Sequence, residues 1–107
     1  MAAGTQSAAT PPDEPMDDIH RAILRTCRQK LVRDMDAELV LRNMADPHLF
    51  SEDDEDQIKT NRLTPRQKSE TLLDILPTKG SKAYEIFKET IRKVHLPLHY
   101  TIVQAGK

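Results

Sequence analysis

The chain has 107 residues, of which 31% are charged and 4% aromatic, with no Trp, one Cys and a net charge of −1. Near-neutrality excludes a blanket attraction to nucleic acid or anionic lipid, so the separation of charge along the chain carries the information. A single Cys excludes an internal disulfide and fits a reducing compartment, and no apolar run is long enough to span a bilayer or to form the core of a signal peptide, which makes the cytosol or nucleus the default, the cytoplasm being the location expected.

The length leaves room for one domain. With so few aromatics its core must be built from Leu, Ile, Val, Met and Ala. Three Gly and little alternation of β-branched residues favour an all-helical fold. Residues 1–15, MAAGTQSAATPPDEP, are small, polar and Pro-containing, and are expected to form a flexible leader before a domain over 16–104 and a short tail at 105–107.

The first predicted helix runs over residues 17–35, DDIHRAILRTCRQKLVRDM, opened by Asp17 or Asp18 at the positive end of the helix dipole. Ile19, Ile23, Leu24, Cys27, Leu31 and Met35 share one apolar face at 3.6-residue spacing. Arg21, Arg25 and Arg28 follow that face along its border, and between residues 19 and 33 there are five cations and no acid. Lys30 and Val32 fit a straight helix poorly, which suggests a bend in its second half.

Asp36 predicts the N-cap of a second helix with Ala37, Val40, Leu41 and Met44 inward, stopped by Pro47. Leu49 and Phe50 then plug the core from a turn. Ser51 with Asp54 forms a capping-box pattern for a third helix in which five of the first six residues are acidic. Ile58 is its clear anchor, and Asn61 suits a left-handed position at its end.

Thr64-Pro65-Arg66-Gln67 is the clearest local signal: an N-cap Thr, Pro at the first helical position and Gln at the third. The fourth helix carries Leu72, Leu73, Ile75 and Leu76 inward, with Arg66 and Lys68 at its exposed start, and Pro77-Thr78-Lys79-Gly80 ends it. Ser81 is expected to cap a fifth helix with Ala83, Tyr84, Phe87, Ile91 and Val94 inward. Residues 95–107, HLPLHYTIVQAGK, fit either a strand, through Leu96, Leu98, Tyr100 and Ile102, or a short helix started by Pro97. Short loops between five helices and an inferred sixth predict an antiparallel bundle.

The segment LLDILPTKGSKAYEIF (72–87), with the basic helix start before it and ILRTCRQKLV (23–32), resembles a caspase recruitment domain, and the order of helices agrees over about residues 17–104. The resemblance implies a six-helix Greek-key bundle of the death-fold superfamily, close to initiator-caspase prodomains and their adaptor, with no catalytic chemistry. It also implies a contact between a basic surface of the first and fourth helices and an acidic surface of the second and third. Here the basic side would be Arg21, Arg25, Arg28, Arg66 and Lys68, and the acidic side Asp36, Glu52, Asp53, Asp54, Glu55 and Asp56. The implied partner is another such domain, on a caspase, an adaptor or a nucleotide-binding scaffold, in apoptotic or inflammatory signalling. A chain bearing both surfaces could also self-assemble head to tail.

Other readings of the same residues are weaker. Charge runs on helices are ordinarily solvated faces. Cys27 lies on the apolar stripe and reads as a buried, inert thiol rather than a nucleophile. His95 and His99 stand four apart with Pro97 between them and no third ligand nearby, and the acids of the third helix lack the alternation and Gly of a calcium loop, so neither a metal nor another cofactor is expected. The alternative from another class is a small helical nucleic-acid binder that uses the same five cations on phosphates; the acidic third helix and the near-zero net charge oppose it. Neither nucleic acid nor membrane is expected as a partner.

Overall fold

A computed structural model describes residues 15–107. The expected leader therefore lies outside the described residues apart from Pro15. Six α-helices follow one another: α1 (Asp18–Asp34), α2 (Ala37–Arg42), α3 (Glu52–Lys59), α4 (Pro65–Ile75), α5 (Ala83–Val94) and α6 (Leu96–Ala105), with a 3₁₀ turn (Leu76–Lys79) between α4 and α5.

Four helices begin where a short polar side chain can accept from a free backbone N–H. Asp17 accepts from Ile19, Asp36 from Leu39, Ser51 from Asp54 and Thr64 from Gln67. At α3 and α4 the third helical residue answers back, so both capping boxes close. Pro97 lies in the first turn of α6 and settles the last segment as a helix, because the ring supplies a helical φ where no N–H is needed.

Burial orders these helices into a six-helix Greek-key bundle. Helices distant in the chain pack together, α1 on α4 and α6 and α2 on α4 and α5, alongside the consecutive pairs α3–α4 and α5–α6. The antiparallel course of α1 against α6 is fixed at three points. Gly106 lies so close to Ile23 that a Cβ there would meet Ile23 Cδ1 at 3.3 Å. Cys27 Sγ faces the Thr101 carbonyl at 3.7 Å, and the Asp36 backbone N–H donates to His95 Nε2 at 3.1 Å. Ile23, Leu24, Cys27, Leu31, Val40, Phe50, Ile58, Leu72, Leu76, Phe87, Ile91 and Ile102 form the shared core, and Met16 is buried just ahead of α1.

Several expectations are corrected. Val32 is buried beside Leu31 and widens the buried face of α1 there; Ile19, placed on the apolar stripe, is 67% exposed because α1 begins before its neighbours can cover it. α2 ends at Arg42, ahead of Pro47, and Met44 packs from the following turn. The C-cap of α3 is Thr60, in extended backbone. Ser81 does not cap α5: Lys82 holds the N-cap position with no side-chain hydrogen bond. Gly80, with φ 95° and ψ −177°, makes the sharp exit from the 3₁₀ turn in a region that side chains avoid.

Two buried hydroxyls tie loops to the bundle. Thr90 on α5 accepts the Ala45 backbone N–H at 2.9 Å and donates to the Ile86 carbonyl at 2.8 Å. Ser69 on α4 donates to the Met35 carbonyl at 3.1 Å and so anchors the α1–α2 corner.

Candidate interaction surfaces

The border position of the α1 arginines follows from the burial beside them. Leu24 and Cys27 point into the core, which turns the adjacent Arg25 and Arg28 outward along the seam with α4. Arg66, exposed in the first turn of α4, reaches the same seam. Arg25, Arg28, Gln29, Val32, Arg33, Arg66 and Glu70 line one open groove of about 440 Å³. A second, shallower groove of about 370 Å³ adjoins it, where Arg21, Leu24, Arg25 and Arg28 meet Leu73, Asp74 and Pro77.

These cations are not equivalent. Arg28 reaches Asp74 on α4 at 3.0 Å, and Arg33 pairs with its neighbour Asp34. The Arg33 guanidinium, by hydrogen bonding first and charge second, is met by an Asp34 carboxyl held below its ordinary range. Arg21, Arg25 and Arg66 enter no ion pair among the described residues. Lys68 stands apart from the groove. It is largely covered, ion-paired with Glu38 of α2, and lines a different depression with Asp34, Asp36 and Pro65.

The acids divide in the same way. Glu52, Asp53 and Asp56 are exposed on α3. Asp54 is turned inward. It accepts the Ser51 backbone N–H at 2.9 Å and is ion-paired with Lys79 of the 3₁₀ turn, with 14% and 22% of the two side chains exposed. Burial alone would raise the Asp54 carboxyl, but the Lys79 ammonium and the Ser51 donors together outweigh it and hold the group below its ordinary range. Glu55 bridges to Lys59 one turn on at 3.0 Å. Asp36 is exposed at the α1–α2 corner, where its carboxylate caps α2.

Of the six charges that the resemblance places on the acidic side, Asp54 and Asp36 shape helices, Glu55 pairs with Lys59, and Glu52, Asp53 and Asp56 face solvent. The Lys79–Asp54 contact has no signal in local sequence, since it joins residues 25 apart through the packing of the 3₁₀ turn beside α3. Cys27 is buried, and desolvation pushes its thiol up, away from the reactive thiolate. His95 spends its Nε2 lone pair on the Asp36 N–H.

Guanidinium groups in an open groove suit planar, paired recognition of oxyanions, carboxylates or phosphates. The α3 surface presents carboxylates of that kind on the same molecule. No described helix is long and apolar enough to cross a membrane. The family model for the caspase recruitment domain matches residues 21–104, most of the chain. The comparison of the chain with curated proteins gave no match.

Proposed function

The chain belongs to the caspase recruitment domain family of protein-interaction modules, and we propose that it binds a second such domain through the Arg25–Arg66 groove, the α3 acids, or both. The partner would sit on an initiator caspase, an adaptor or a nucleotide-binding scaffold, and the contact would serve apoptotic or inflammatory signalling in the cytoplasm. Its role is recruitment rather than catalysis.

The observation that carries this reading is that one fold presents arginines without an ion-pair partner in a groove and carboxylates without one on α3, among the described residues. Arg25 and Arg66 line the groove without intramolecular partners among the described residues, and Glu52, Asp53 and Asp56 are exposed on α3. Opposed charges of this kind steer encounter and select partners, and salt weakens them. Because two different surfaces would meet, a contact between copies is head-to-tail and can extend into open assemblies. Phosphate recognition by the same arginines is less well supported, since Glu70 and Asp74 line the two grooves and interrupt a continuous cationic track.

The test is complementation between copies followed by sedimentation. Arg25→Glu with Arg66→Glu leaves only an acidic face, and Asp53→Lys with Asp56→Lys leaves only a basic one. Each double variant is expected to remain monomeric alone, and an equimolar mixture to form a one-to-one complex that weakens with salt. Association of either variant alone as strong as that of the unmodified chain overturns the two-face model.

A further inference from the structure

The Thr64-Pro65 step is an N-cap followed by Pro at the first helical position, and three features that Thr64 shows in that place also suit a second role. The residue is exposed, and so are Pro65, Arg66 and Gln67, so the first turn of α4 buries little and can fray at small cost. Its backbone is extended, with φ −70° and ψ 162°. Its hydroxyl accepts the Gln67 N–H at 3.2 Å and, like that of the other hydroxyl cap Ser51, donates to no acceptor among the described residues, which leaves its proton free for transfer. An exposed, extended Thr with a free O–H, followed by a residue lacking an N–H, is the substrate form that a proline-directed kinase accepts.

We propose that Thr64 is a phosphorylation site for a proline-directed serine/threonine kinase, and that the phosphate switches off the basic face. The second half rests on the interaction reading above. In the transfer, Thr64 Oγ1 forms a bond to the γ-phosphorus of ATP, the bond from that phosphorus to the β-phosphate oxygen breaks, ADP leaves, and the hydroxyl proton passes to the kinase's catalytic carboxylate. The product carries about −1.5 to −2 charges at neutral pH.

Position decides what that charge does. It lies at the start of α4, an 11-residue helix, where backbone N–H groups and the helix dipole favour an anion, so the fold is not weakened. Arg66 follows two residues later and Arg62 precedes by two. A phosphate outweighs the single charge of Arg66 and withdraws that guanidinium from the groove it shares with Arg25 and Arg28. Stability is kept while recognition is lost.

The sequence holds a second such step, Thr10-Pro11, outside the described residues. The experiment treats the unmodified chain, Thr10→Ala and Thr64→Asn with a mitogen-activated protein kinase and magnesium ATP, maps phosphate by mass spectrometry, and follows melting and self-association. Asn keeps the capping oxygen but cannot be phosphorylated. Thr10→Ala is expected to take one phosphate at Thr64, and the phosphorylated chain to associate about tenfold less tightly with unmodified copies while melting at the same temperature. Phosphate on Thr10 but not on Thr64 in the unmodified chain overturns the site. Phosphate on Thr64 with unchanged association, under conditions where Arg25→Glu with Arg66→Glu abolishes association, overturns the switch. Unchanged association in that double variant as well overturns the interaction reading instead and leaves the modification site standing.

Discussion

Replacing Asp54 by Asn removes the charge that faces Lys79 while keeping an amide oxygen able to accept the Ser51 N–H. An exposed ion pair contributes about 0–1 kcal/mol, whereas breaking a buried one costs about 3–5 kcal/mol. With 14% and 22% of the side chains exposed, the Asp54–Lys79 pair lies between these limits. A loss of about 1–3 kcal/mol follows, equivalent in a domain of this size to roughly 4–8 °C of melting temperature for each kcal/mol. The sign with pH is fixed by the depressed carboxyl. Its stabilisation is complete above the unfolded value, about 3.9 for Asp, and is lost as pH falls through the lower folded value. Urea unfolding of both proteins, followed by far-ultraviolet circular dichroism, should therefore give a large difference near neutral pH that shrinks steadily below about pH 4. Other carboxylates titrate in both proteins and cancel in the difference. A difference that is absent at neutral pH, or that persists undiminished in acid, refutes the assignment of Asp54 to the fold.

Two further substitutions probe the joints that hold the acidic helix and the basic groove in place. Thr90→Val conserves volume but leaves the Ala45 N–H without its acceptor, which should cost about 1–3 kcal/mol and speed hydrogen exchange at Ala45, with Thr90→Ser restoring protection. Gly80→Ala should cost about 1–3 kcal/mol in a thermal melt, because Gly80 is buried at φ 95° and ψ −177°, where only Gly is comfortable; an unchanged melt would mean that the turn relaxes.

The sequence was most legible where structure is local. A cap is a pairing between residues two or three apart, so Asp36, Ser51 and Thr64 could be read directly and each closes as expected, while for the first helix the sequence offered Asp17 or Asp18 for the dipole and the fold uses Asp17 as the cap. The apolar faces of α4 and α5 were equally plain, with Leu72, Leu73, Leu76, Ala83, Phe87 and Ile91 all buried. Failures arose where the answer lay in a distant neighbour. Periodicity placed Ile19 on a face but could not say that nothing would cover it. Ser81 has the side chain of a cap, yet the turn after Gly80 delays the helix to Ala83. Thr90 and Ser69 gave no signal, because a hydroxyl inside an apolar run looks like a compromise until its backbone partner, 45 or 34 residues away, is known. For the candidate surfaces, sequence supplied the signs of the charges and the resemblance supplied their grouping. The division into paired and unpaired members, with Lys68 on Glu38 and Asp54 on Lys79, needed the tertiary fold.

That division also couples the surfaces to the core. Arg25 and Arg28 face the groove only because Leu24 and Cys27 beside them are buried, and Arg66 meets them because α1 packs on α4. The aim of the guanidinium groups is thus set by the register of an apolar stripe two positions wide. A rotation of α1 by one residue, about 100°, would carry both arginines off the seam while leaving the composition of the helix unchanged. Cys27 holds that register from the inside, with its thiol against the Thr101 carbonyl of α6. Cys27, read from the sequence as a buried and inert thiol, thereby acts through packing, by setting the direction of the arginines beside it.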